Sequence, residues 1–210
     1  MKPTGKPRTN MGTNMGTNIN SDMDIKIASE VGDAPTHGWL RVISAAHAML
    51  EQCEGFVKDV PASVYGAESQ VLPGGTVGKH LRHMLDHYAA ILEPAVLSGS
   101  IDVDYDHRDR DTPMESDREA AMHRLGSLRD QVARLPHVSE ATTVRVRIMI
   151  TSDGGEATLG STLARELAFA THHAVHHQAM MKAIAGEFGV EAAPDFGKAP
   201  STINHLLVRK

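Results

Sequence analysis

The sequence holds one cysteine, Cys53, in 210 residues. A lone cysteine builds neither an intramolecular disulfide nor a thiolate zinc site, and Cys53 reads as a small apolar side chain. Aromatic residues are scarce, 4% of the chain against 41% hydrophobic overall. The apolar share rests on Ala, Leu, Val, Met and Ile, which suits helix packing better than a β-sandwich. No apolar run approaches the ~20 residues that span a bilayer. Lys2, Lys6 and Arg8 are followed by no apolar segment of the kind a secretory signal carries. A cytoplasmic location without a membrane partner is therefore expected. Positive charge is not in excess either: the formal net charge is −5, with acids and bases interspersed. That excludes the basic stripe that nucleic-acid binding requires.

What is present is histidine, 13 residues. Residues 1–35 read as a disordered N-terminal tail. The near-repeat Met11-Gly12-Thr13-Asn14 and Met15-Gly16-Thr17-Asn18 cannot bury enough surface to offset its ordering entropy. Residues 36–190 read as one helical domain. Leu40, Ile43, Ala46, His47 and Leu50 recur at helical spacing in a first helix ending near Gly55. Thr76 caps a second helix that runs to about Leu97. An acidic loop spans residues 99–113. Ser116 with Glu119 forms a capping box for the third helix, which Pro136 ends. Val144, Val146, Ile148 and Ile150 alternate with Arg145 and Arg147 as a strand, and Asp153-Gly154-Gly155 turns it into a short hairpin. Ser161 or Thr162 caps the fourth helix, which runs to Gly189. Residues 191–210 read as a C-terminal coil with an apolar anchor at Leu206-Leu207. The expected fold class is all-α: a four-helix bundle with a small β-hairpin before the last helix.

Seven histidines fall in two clusters. In the fourth helix, THHAVHHQAMMK offers two i,i+4 pairs, His172 with His176 and His173 with His177. Such a pair lies on one face a turn apart, so both imidazoles can reach one ion. At ~100° per residue, His177 falls in the stripe of Leu163, Leu167, Ala170, Ala174, Met181 and Ile184, with His173 on its flank. His172 and His176 lie on the other side. His173 and His177 are the inward pair. The second helix carries His80, His83 and His87 on one face. Its pattern favours His80 as the most inward and does not choose a ligand. An HxxxH from one helix with one His from another makes a three-nitrogen site that leaves coordination positions open. The residue after His173 is Ala174 rather than the glutamate of a zinc protease, which excludes that reading.

Thr76-Val77-Gly78 with His83 and Asp86, followed by His173, His176 and His177, resembles the DinB/YfiT-like superfamily over residues 36–190. Gln178-Ala179-Met180 departs from the Arg-Gly-Gln that often follows the last histidine there. The resemblance implies a four-helix bundle of DinB/YfiT type. It also implies a divalent metal held by His83, His173 and His177; zinc, nickel and iron all suit imidazole, and only a closed structural site would draw His80 or His87 as a fourth ligand. It further implies a metal-dependent transferase or hydrolase acting on a small molecule, with a low-molecular-weight thiol as nucleophile. The alternative is a non-catalytic stress or interaction protein with a structural metal. Asp86 or His87 could move protons. Tyr105 to Arg110 could cover the site, and Glu166 could hold a ligand's outer nitrogen. A homodimer is compatible with a bundle of this size.

Overall fold

The computed structural model describes residues 35–95, 101–109 and 112–209. The expected N-terminal tail, but for Pro35, lies outside the described residues, as does the end of the second helix beyond Ala95.

Four long helices form a ring. α1 (His37–Asp59) begins where the Thr36 hydroxyl accepts the Trp39 N–H, and it buries Trp39, Ile43, Ala46, Leu50, Cys53 and Val57. Those steps of four and three keep one stripe on the core. The stripe carries the helix past Gly55, because Phe56 and Val57 are also buried and outweigh glycine's roughly 1 kcal/mol helix penalty. A single turn, α2 (Ala62–Tyr65), follows. α3 (Val77–Ala95) is capped by Thr76, whose hydroxyl accepts the Lys79 N–H at 3.0 Å. α4 (Arg118–Val132) is capped by Asp117 and not by Ser116. Ser116 instead closes the turn Pro113–Glu115, its N–H donating to Pro113 O. α5 (Leu163–Glu187) starts at Thr162, whose hydroxyl accepts the Arg165 N–H at 3.3 Å. α3 packs on α5 and α4, and α1 packs on the same two, so α1 and α3 stand diagonally. This places the two histidine-bearing helices, α3 and α5, side by side. No helix among the described residues is long and apolar enough to cross a membrane.

The all-α expectation is corrected by a three-stranded mixed sheet. β1 (Ile101–Asp104) lies in the stretch read as an acidic loop. It pairs parallel with β2 (Thr143–Met149), which pairs antiparallel with β3 (Glu156–Thr162). The class is therefore mixed helix and sheet, not a bundle with a hairpin. The physical cause is nonlocal. Ile101 and Val103 are buried while Asp102 faces solvent. Asp102 meets Arg145 at 2.7 Å and Asp104 ion-pairs with Arg147 across the parallel ladder. Four residues of alternation are too few to stand out beside a helix-period background. The C-terminal segment also differs from coil. α6 (Pro200–Val208) is helical, with proline in its first turn. Leu206 and Leu207 are exposed and anchor nothing. The segment is held by Phe196, which stacks on Phe56 with ring centroids 4.4 Å apart.

Candidate metal centre

α3 and α5 bring five imidazoles into one column. On α5, His177 is buried and His173 half-buried, whereas His172 and His176 are exposed. On α3, His80, His83 and His87 recur at steps of three and four and face α5. His173 Nε2 lies 3.2 Å from His83 Nε2 and 3.0 Å from His177 Nε2. His177 Nδ1 lies 3.2 Å from His80 Nδ1. The structure thus brings His83, His173 and His177 together and sets His80 behind His177, on its second nitrogen.

His87 forms a second, overlapping group. One nitrogen each of His83, His87 and His173 lie within 4.8 Å of one another. His87 Nδ1 donates to the His83 carbonyl at 2.9 Å, because a carbonyl can only accept. That fixes the tautomer with a lone pair on Nε2, the form a ligand needs. His83 and His173 belong to both groups, and His177 and His87 are the two candidates for a third nitrogen.

Two aromatic rings hold the column. Tyr105 stacks on His87 at 4.8 Å between centroids, and Phe169 on His173 at 5.8 Å. Sequence reasoning placed Tyr105 in a covering loop and passed over Phe169, although Phe169 stands one turn before His173. The Tyr105 hydroxyl donates to Glu166 Oε2 at 2.7 Å, and Ser161 donates to Glu166 Oε1 at 2.6 Å. Glu166 therefore reaches the cluster through Tyr105 rather than by holding a ligand's nitrogen. Asp86 lies 2.7 Å from Arg82 and 3.3 Å from Arg108. Burial pushes its carboxyl above the ordinary range, and the two guanidinium groups pull it back. An Asp86 held in this way is a support for the loop. Arg110 lies outside the described residues.

The imidazoles are held neutral. Burial, and then the neighbouring imidazoles, bring His177 down to about 2 and His173 to about 4. Burial, then His87 and Arg108, bring His83 down to about 3. Burial also lowers His80 and His87. Neutral imidazole is the ligand form. One cavity of about 490 Å³ opens beside the cluster and is lined by Gly74, Lys79, His80, Arg82, His83 and His177 among others. A larger groove of about 660 Å³ lies elsewhere, between α3 and α4, beside Glu93, His123 and Asp130.

No family model matches the chain, and no solved structure matches it at a significant level. The chain is similar to FK506-binding protein 5 of Rhizopus delemar, with 35% identity over 127 residues, 59% of this chain and 33% of that protein. It spans about a third of the length of that curated relative. These findings overturn the expected DinB/YfiT membership: no family model supports it, and the similar curated protein is named for binding FK506. The metal-dependent transferase or hydrolase using a thiol that the resemblance implied, and the alternative of a stress or interaction protein with a structural metal, are corrected with it. The residue geometry stands apart from that resemblance and is taken up on its own terms.

Proposed function

We propose that this chain binds one divalent metal ion through His83, His173 and His177. One observation supports the reading above the rest. His173 Nε2 sits within 3.2 Å of one imidazole nitrogen and 3.0 Å of another. A ring nitrogen has either one proton or one in-plane lone pair, so it can make one good hydrogen bond of this kind, not two. A cation accepts all three lone pairs at once. Nitrogens bound at about 2.0–2.1 Å in tetrahedral geometry stand roughly 3.3 Å apart, close to the two separations measured from His173. Zinc, nickel and iron(II) all suit imidazole. Such an ion would be held by α3 and α5 together. The reading is one of ion binding and carries no assigned reaction. Metal analysis of purified protein tests it. Wild type should carry about one ion per chain, and His83→Ala and His173→Ala should each lose it. Full metal content in both variants would sink the proposal.

A second reading comes from the relative's name, FK506 binding. An apolar groove of about 320 Å³ between α1 and α5, lined by Val42, Ala45, Met49, Ala168, Val175 and Pro200 among others, is where an apolar ligand would sit. Titration with FK506 decides it. A Val175→Glu change should abolish binding if the groove is used, and no binding to wild type ends the reading.

A further inference from the structure

We infer that the cavity beside the histidine column takes an oxyanion, a phosphate or carboxylate group of a small molecule, with Lys79 as its cation. In the part that gives the anion a second contact, the ion, this rests on the metal reading above.

The cavity has the volume of a small-molecule site, about 490 Å³. Its charge is of one sign: Lys79 and Arg82 line it, and among the described residues no carboxylate does. The two cations are not equivalent. Arg82 is bound behind the cavity by Asp86 and Glu115, each at 2.7 Å, so most of its charge is already answered. Lys79 Nζ donates to the neutral Gly74 carbonyl at 2.9 Å, and among the described residues no carboxylate pairs with it. Its charge is therefore open to a ligand. His83 and His177, two of the proposed metal ligands, share the same wall. An unanswered positive charge at a concave site raises the local concentration of anions.

The opposite wall is built and fastened. Gly74 has φ 75°, a left-handed conformation that favours glycine. A Cβ on Gly75 would stand 2.9 Å from the Leu72 carbonyl and 3.1 Å from His80 Nε2, so only glycine lets this loop approach the histidine. The Ser69 hydroxyl accepts the N–H groups of Val71 and Leu72 and donates to Glu187 Oε1 at 2.5 Å. Glu187 Oε2 accepts the Gln70 N–H at 2.7 Å. One carboxylate at the end of α5 thus fastens the loop that walls the cavity, while standing outside its lining.

Inorganic phosphate and acetate, titrated calorimetrically into the chain with and without bound ion, test the inference, with glycerol as the neutral control. Both anions should bind and glycerol should not. Lys79→Glu, an exposed position that leaves the fold intact, should weaken both by about tenfold or more with metal content unchanged, and Lys79→Arg should keep them. A metal-loaded wild type that ignores both anions, or equal affinity in wild type and Lys79→Glu, overturns the anion site and leaves ion binding standing. Lys79-dependent anion binding by a chain that takes up no metal does the reverse: it ends the metal reading and supports the anion site.

Discussion

Towards α1, helix α5 sets Gln178 against Cys53 and Met49, with the amide 3.3 Å from the sulfur. Towards α3, the same helix sets His173 and His177 against His83 and His80. The first interface gathers no unanswered imidazoles, and its groove is apolar. Its side chains are apolar or answered, and Cys53 is so desolvated that burial pushes its thiol up to about 12. The second holds five imidazoles at nitrogen distances that hydrogen bonding alone leaves partly unanswered. The contrast separates burial from binding. One side of α5 contributes stability by burial, and the other gathers imidazole nitrogens that the proposed cation would satisfy together.

Acid should break this comparison most strongly. His83, His173 and His177 titrate well below the ordinary imidazole range in the folded chain. Their contribution to stability is complete above the unfolded value of about 6.5 and is lost as pH falls through the folded values. Below about 6.5 the unfolded chain takes up protons that the folded chain refuses. The urea midpoint of the metal-free protein should fall steeply from pH 7 to pH 4, and His173→Ala should flatten that fall. A flat wild-type profile would show that the column is not desolvated as described.

Leu50→Ala comes next. Leu50 is fully buried in α1, and its truncation should cost about 3 kcal/mol in chemical denaturation while leaving metal content unchanged. Metal loss in this variant would mean that the two interfaces are one cooperative unit. Zinc at a hundredfold excess over its dissociation constant should stabilise wild type by about 2.7 kcal/mol and His173→Ala by far less. The smallest effect is expected for Tyr105→Phe. It removes the hydroxyl that donates to the buried Glu166 and should cost about 1 kcal/mol, with a weakened ion affinity because the ring that stacks on His87 loses its tether.

The helices of this fold could be read from period alone, because α1, α3 and α5 each repeat apolar residues at steps of three and four over many turns. Thr76 was legible as a cap for the same local reason, and the cap of α5 was narrowed to Ser161 or Thr162, of which Thr162 serves. The inward side of α5 was legible too, since the apolar stripe around His177 is a property of one helix. The third partner was not. Whether His80, His83 or His87 meets His173 depends on how α3 is rotated against α5, and no single-helix pattern contains that angle. β1 was hidden because its partner lies about forty residues away in β2 and its alternation runs for only four residues. Tyr105 and Phe169 were visible as residues but not as walls, because stacking on an imidazole is decided by tertiary packing. α6 was masked by Pro200 and by apolar residues that remain exposed.

The most direct test is anomalous diffraction from crystals of the zinc-loaded protein, collected on both sides of the zinc edge. A single strong peak about 2.0–2.2 Å from the Nε2 atoms of His83, His173 and His177 is predicted. No peak between α3 and α5, or a zinc ion held only by surface histidines such as His172 and His176, would contradict the account.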